Sequence, residues 1–164
     1  MRDYKILVVL VCLIMSSAYT ADDYSKPIPI KKKTNWEHFI DAVIDVESGG
    51  DDSAIGDIHL GKPSVGCLQI RPIMVREANR ILKSYGVDRR YTLDDRYSRA
   101  KSIEIFSMMA EEVTCCEFLS EDEFFEIVAR RWNGGPRGAR KNSTKKYWEK
   151  VKVKYYEKQI NYNK

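Results

Sequence analysis

Residues 34–50, TNWEHFIDAVIDVESGG, decide how the fold of this 164-residue chain begins. Thr34 and Glu37 form the capping box that typically starts a helix. The apolar residues that follow recur at the spacing of one helical face, which predicts a half-buried amphipathic helix. They are Trp36, Phe39, Ile40, Val43 and Ile44. Gly49-Gly50 ends the helix, so Glu47 is expected in its last turn.

The rest of the chain is predicted to be mostly α. Residues 51–64 show little apolar periodicity and indicate an irregular loop or a small β-hairpin after the first helix. Four more helices are predicted, from Pro72 to about Tyr85, from roughly Asp94 to Phe118, from Ser120 to Arg131, and from Thr144 to about Tyr162. Residues 35–164 therefore form a single domain, large enough for one hydrophobic core.

The N-terminus is predicted to be a signal peptide, residues 1–18. Arg2 and Lys5 precede an apolar run over residues 6–15, and small residues end at Ala18, where cleavage fits. Residues 19–34, with two prolines and three consecutive lysines, read as a flexible tether. The alternatives are cleavage after Thr20 or Ala21 and an uncleaved amphipathic anchor. The expected location is periplasmic or secreted, associated with the envelope but not transmembrane after cleavage.

Charge and cysteine content leave two questions open. The formal net charge is +4, and residues 137–164 contain ten basic and two acidic residues. Such a run favours an anionic polymer as partner, or is the solvated face of a helix. Cys67 could pair with Cys115 or Cys116, or all three could be small buried apolar residues. Neither histidine has a ligand partner at metal-site spacing, so no metal or cofactor is expected.

Glu47 is the first candidate for chemistry. A carboxylate at the C-terminal end of a helix is opposed by the helix dipole, which raises the energy of its charged form. An acid that keeps its proton near neutral pH is what cleavage of a glycosidic bond requires. An exposed helix-end glutamate without a function fits the same pattern.

Three more segments combine polar and apolar groups. Gln69 lies in an apolar stretch, where its amide needs partners or faces a ligand. Trp132-Asn133 places an aromatic ring and an amide just before a glycine turn. Tyr147 lies near the start of the last helix, and Val151 follows one turn later.

These four segments, in this order, resemble the motifs of the soluble lytic transglycosylase and goose-type lysozyme superfamily. That family shows a Glu-Ser-Gly-Gly motif, then Gly-Leu-Met-Gln-Ile, then Ala-Tyr-Asn-x-Gly, then a tyrosine in a final helix followed by valine. The matching segments here are Glu47-Ser48-Gly49-Gly50, Gly66-Cys67-Leu68-Gln69-Ile70, Arg131-Trp132-Asn133-Gly134-Gly135, and Tyr147 with Val151.

The resemblance implies a lysozyme-like α fold whose cleft holds a β-1,4-linked chain of N-acetylmuramic acid and N-acetylglucosamine. It implies that Glu47 is the catalytic acid. The side chains that it implies for substrate binding are Ser48, Gln69, Trp132, Asn133 and Tyr147, with Trp132 and Asn133 beside the sugar and Tyr147 near Glu47. Two positions depart from the family pattern, Trp132 in place of a tyrosine and Cys67 beside the glutamine. The expected partner is the glycan strand of peptidoglycan, not a nucleic acid, and the expected domain is a monomer.

Two reactions fit such a site, and they differ in the need for a second carboxylate. A lytic transglycosylase uses Glu47 as acid and then as base, and leaves 1,6-anhydro ends. A hydrolytic muramidase adds a carboxylate that activates water. Asp57 is the candidate for that role, because its Gly-Asp pair resembles one in goose-type lysozymes, although it also fits a turn residue. Where such lysozymes can have another aspartate, just after the glutamine motif, this chain has Arg71.

The sequence therefore favours a peptidoglycan lytic transglycosylase that cleaves between N-acetylmuramic acid and N-acetylglucosamine. The alternatives are hydrolysis by Glu47 with Asp57, and a peptidoglycan-binding module without catalysis.

Overall fold

The structure is a computed structural model that describes residues 34–112 and 120–162. These residues belong to one compact unit. The predicted signal peptide and nearly all of the tether lie outside the described residues, as do Cys115 and Cys116. The domain boundaries therefore stay predictions.

The described residues form five α-helices and one small hairpin. The helices are α1 (Asn35–Ser48), α2 (Pro72–Ser84), α3 (Arg99–Glu111), α4 (Glu121–Gly134) and α5 (Lys145–Tyr162). The strands β1 (Ile55–Gly56) and β2 (Ser64–Val65) pair antiparallel, with Ile55 opposite Val65. The predicted fold class, mostly α with a small hairpin after the first helix, is confirmed.

Helix α1 begins as its sequence predicts and forms the centre of the core. The Thr34 backbone N–H donates to the Glu37 carboxylate at 2.6 Å, and the Glu37 N–H donates to Thr34 Oγ1 at 3.2 Å. Phe39 is fully buried, and its ring stacks on Phe125 of α4 at 4.3 Å between centroids. Tyr155 of α5 meets Phe125 edge to face. Burial of each such side chain contributes about 1.5–3 kcal/mol, so α1, α4 and α5 hold one another in place.

The predicted third helix, from roughly residue 94 to residue 118, is wrong at its start, and its residues 113–118 lie outside the described residues. Its first residues form a separate 3-10 turn, Asp94–Tyr97, and Ser98 is extended, so α3 begins only at Arg99 and ends at Glu111. The buried guanidinium of Arg96 explains the break. It donates to the carbonyl oxygens of Leu93, Pro63 and Ile70, and these bonds tie the turn to the hairpin loop. A continuous helix would not present Arg96 to all three acceptors.

The predicted fourth helix also ends later than expected. Helix α4 continues past Arg131 through Gly134, and Gly135 follows with a positive φ of 76°. The glycines alone therefore do not stop the helix; the change of backbone conformation at Gly135 does. No helix among the described residues is long and apolar enough to span a membrane.

Gly66 should be intolerant of any side chain. Its φ is +80°, and an added Cβ would lie 1.9 Å from the carbonyl oxygen of Arg96. We expect Gly66→Ala to lower the free energy of unfolding by about 3 kcal/mol or more. Gly61→Ala is the matched control, because its φ is +65° but nothing lies within 4 Å of its Cβ position. It should cost about 1 kcal/mol. Urea unfolding measures both; equal losses would contradict the tight contact at Gly66.

Candidate functional site

Glu47 lies in the last turn of α1, as predicted, and its carboxyl meets Tyr147 from the first turn of α5. The Tyr147 hydroxyl donates to Glu47 Oε1 at 2.6 Å. Helix α1 ends directly after this point, because Gly49 adopts a left-handed conformation and donates its N–H to the Asp45 carbonyl. The packing of α1 against α5 therefore sets the position of both side chains.

The Glu47 carboxyl keeps its proton at unusually high pH. Burial, which penalises the charged form, raises its pKa from 4.5 to about 7. The hydrogen bond from Tyr147 lowers the pKa, the charge of Asp57 raises it, and the charge of Arg71 lowers it, each by less than burial. The same burial, with the nearby Glu47 charge, raises the pKa of Tyr147, so its hydroxyl stays a donor. At neutral pH Glu47 is thus able to donate a proton or a hydrogen bond.

Asp57 and Arg71 form an ion pair within electrostatic reach of Glu47. Asp57 lies after β1 with a positive φ of 54°, and Arg71 directly precedes α2. Their side chains are 35% and 42% exposed, so the pair is accessible to a ligand. Arg71 was not among the predicted site residues. The available signal was its place directly after the glutamine motif, where the family pattern allows an acid.

Ser48 and Gln69 lie beside this group, but their polar atoms are bonded within the protein. Ser48 Oγ donates to the Cys67 carbonyl at 2.9 Å and accepts the Gly50 N–H at 3.1 Å. The Gln69 amide donates to the Gly66 carbonyl at 2.9 Å and accepts from Ser64 Oγ at 2.8 Å. The Ser48 bond to Cys67 attaches the hairpin loop to the end of α1, and the Gln69 bonds hold the loop together from within. Their predicted contacts with substrate stay predictions.

Gly56 makes room for the Gln69 amide. A Cβ at Gly56 would lie 2.3 Å from Gln69 Oε1 and 2.8 Å from Ser64 Oγ. In the Gly-Asp pair noted in the sequence, the glycine is therefore needed for packing against Gln69 and Ser64. The aspartate, Asp57, pairs with Arg71.

Trp132 and Asn133 occupy the last turn of α4 and differ in exposure. The half-buried Trp132 ring packs edge-on against Phe106, with centroids 4.7 Å apart. Asn133 is exposed. The structure therefore gives Trp132 a contact with the core and leaves the Asn133 amide in solvent. Their predicted positions beside a sugar remain predictions.

The buried Cys67 thiol is free, and burial raises its pKa to about 11. It is therefore a protonated, packed group and not a nucleophile. Among the described residues, no group of three or more His, Cys, Asp or Glu side chains could hold a metal ion.

Glu47, Asp57, Arg71 and Tyr147 together define what we call the Glu47 site. It offers a partly protonated acid, a carboxylate, a guanidinium and a phenol hydroxyl, which are groups that hydrogen-bond a polyhydroxylated ligand. A protonated carboxyl with a second carboxylate nearby is also the pair of groups that glycoside hydrolysis employs.

No protein-family model and no curated protein matches the chain. Its fold is similar to that of a chain in the crystal structure of Aeromonas hydrophila PliI in complex with Meretrix lusoria lysozyme. The TM-score is 0.52 and the identity 21%, over 71% of this chain and 88% of that chain. At this identity the likeness describes the fold.

This finding corrects the predicted function. The similar structure is a complex of PliI, a lysozyme inhibitor, with a lysozyme, and not a lytic transglycosylase. The prediction of an enzyme that cleaves glycan strands by transglycosylation, leaving 1,6-anhydro ends, is therefore wrong. The motifs behind that prediction have another physical basis, because Ser48 holds the hairpin loop to α1 and Gln69 holds the loop together from within.

The raised pKa of Glu47 should make stability depend on pH. The folded state keeps this proton above the pH at which the unfolded chain, with a pKa near 4.5, releases it. Raising the pH from 4.5 through about 7 therefore favours unfolding, by at most about 3 kcal/mol from this group. Glu47→Gln lacks that component.

Urea unfolding followed by tryptophan fluorescence at pH 5 and pH 8 measures this component. The wild-type protein should lose more stability than Glu47→Gln between the two values. An equal change in both proteins would show that the Glu47 pKa is normal.

Proposed function

We propose that this domain recognises the glycan strands of peptidoglycan at the Glu47 site. The observation that carries the proposal is the Glu47 carboxyl, held by Tyr147 and kept partly protonated at neutral pH by burial. A neutral carboxyl offers both a donor and an acceptor without the cost of desolvating a charge. The hydroxyl and N-acetyl groups of an amino-sugar chain require this combination.

The accessible polar groups around Glu47 suit the same ligand. Asp57 and Arg71 supply an acceptor and several donors in a pair that is only partly covered by protein. The motif resemblance adds the amide of Asn133, which is exposed in the last turn of α4. A sugar chain needs several such contacts, because each hydrogen bond exchanged with water contributes only about 1 kcal/mol.

Two further observations support a ligand from the cell envelope. The predicted signal peptide would export the chain to the compartment where peptidoglycan lies. The similar solved structure holds a lysozyme, and lysozymes belong to the chemistry of peptidoglycan. The motif resemblance to lysozyme-like proteins agrees with both.

Asn133→Ala should weaken binding of a hexasaccharide of N-acetylglucosamine. Loss of one hydrogen bond corresponds to about a fivefold higher Kd. Isothermal titration calorimetry of residues 19–164 measures it. Asn142→Ala is the matched control, since Asn142 is also exposed but lies in the 3-10 turn before α5. Its Kd should equal that of the wild-type protein.

The same preparations separate recognition from other outcomes. A wild-type domain that binds neither the hexasaccharide nor isolated peptidoglycan, but does bind a lysozyme, would overturn the proposal. Release of fragments with reducing ends by the wild-type domain, and not by Glu47→Gln, would show that the strand is hydrolysed at the site as well.

A further inference from the structure

The connection between α4 and α5 concentrates positive charge. Residues 127–148 contain seven lysines and arginines and no acidic residue. We call five of them the basic turn. They are Arg137, Arg140, Lys141, Lys145 and Lys146, and all five are exposed. Three of the five lie in the connection itself, residues 135–144, and Lys145 and Lys146 begin α5. Because these charges repel one another, the backbone of the connection needs support from elsewhere.

Buried polar groups provide that support. The Arg130 guanidinium pairs with Glu126 at 2.6 Å and donates to Thr144 Oγ1 at 3.2 Å and to the Lys141 carbonyl at 3.1 Å. Thr144 Oγ1 in turn donates to the Gly138 carbonyl at 2.8 Å. A Cβ at Gly138 would lie 1.9 Å from the Arg130 carbonyl oxygen, so the turn lies directly on α4. Hydrogen bonds thus hold the turn in one shape.

The cations that this shape displays are not neutralised by the rest of the domain. None of the five forms an ion pair with another described residue, whereas Lys101, Lys154 and Lys158 each pair with a carboxylate. Lys141 donates to the Gly134 carbonyl, which leaves its charge uncompensated. The basic turn is therefore a preformed positive surface.

This surface adjoins the Glu47 site along the chain. The turn begins at Arg137, shortly after α4 ends at Gly134, and its last members, Lys145-Lys146, directly precede Tyr147, whose hydroxyl bonds Glu47. A strand bound at Glu47 thus has a positive surface beside it. The sugar backbone of such a strand is uncharged where its N-acetylmuramic acid carboxyls are linked to peptide stems, and it would gain little from this surface.

We propose that the basic turn binds the carboxylates of the peptide stems carried by a peptidoglycan strand. This inference rests on the proposed recognition of glycan at the Glu47 site and names its ligand more closely, as a strand substituted with anionic peptides. Several exposed cations acting together suit such a ligand, because each exposed ion pair contributes little alone. The contribution is electrostatic and falls as salt is added.

Two soluble probes and two matched variants test the proposal. The probes are the neutral N-acetylglucosamine hexasaccharide and a peptidoglycan hexasaccharide that carries its peptide stems. The first variant is Arg137→Gln with Arg140→Gln and Lys145→Gln. The control removes the same charges from exposed positions outside the turn, as Arg76→Gln with Lys83→Gln and Arg90→Gln. Calorimetry at low and high salt gives each Kd.

The wild-type protein and the control should bind the peptide-bearing strand about tenfold more tightly than the neutral one at low salt. The basic-turn variant should lose that preference and keep its affinity for the neutral probe. Equal losses in both variants would overturn the inference, since net charge alone would then act.

The failure of each proposal is distinguishable. Equal affinity of the wild-type protein for both probes overturns the role of the basic turn and leaves recognition at Glu47 intact. Binding of the peptide-bearing probe alone, lost in the basic-turn variant, supports the turn and overturns recognition of the sugar chain. No binding of either probe overturns both.

Discussion

The hydrogen bond between Tyr147 and Glu47 is the contact on which the rest of the site depends. It joins residues 100 positions apart, one at the end of α1 and the other at the start of α5. Because the surrounding core buries the carboxyl, the bond is made to a group whose neutral and charged forms are close in free energy. Burial raises the pKa of the carboxyl, so that it keeps its proton to a higher pH, and the hydrogen bond from the tyrosine hydroxyl fixes its orientation. The Asp57–Arg71 pair then places opposite charges nearby without fixing the state of Glu47.

Local patterns in the sequence predicted much of this arrangement. The capping box at Thr34 and Glu37, the apolar face of α1 and the stop at Gly49 placed Glu47 correctly, because each rule acts within one or two turns of helix. The break before α3 was missed. It depends on Arg96 reaching the carbonyl groups of Pro63 and Ile70, which are distant in sequence, and no local propensity encodes that reach.

The site shows the same division between local and distant determinants. The motif resemblance predicted that Tyr147 would lie near Glu47, and the structure brings them together. The ion pair of Arg71 with Asp57 was not predicted, because it joins the hairpin to the start of α2 and forms only when the loop is folded. For Gln69 the residue type left two alternatives open, internal partners or a ligand, and the structure shows internal partners, because its amide bonds Gly66 and Ser64. A polar residue in an apolar stretch either bonds other groups of the protein or faces a ligand, and only the folded geometry distinguishes the two.

The two possible uses of a polar residue also explain why the motifs predicted the wrong function. Motifs that hold a hairpin to a helix describe an architecture, and an architecture serves proteins that differ in what they do. What is particular to this chain is the partly protonated Glu47, the exposed Asp57–Arg71 pair and the preformed basic turn. These features are the basis of the proposed recognition of a sugar chain that carries anionic peptides, and none of them depends on a transglycosylase reaction.

The titration of Glu47 itself is the most direct test of the account. Carbon-13 NMR of the side-chain carboxyl, in the wild-type protein and in Tyr147→Phe, reports its protonation at each pH. The account predicts a midpoint near pH 7 in the wild-type protein. It predicts a higher midpoint in Tyr147→Phe, because the lost hydrogen bond stabilises the charged form. A wild-type midpoint near 4.5, or a midpoint that falls in Tyr147→Phe, would contradict it.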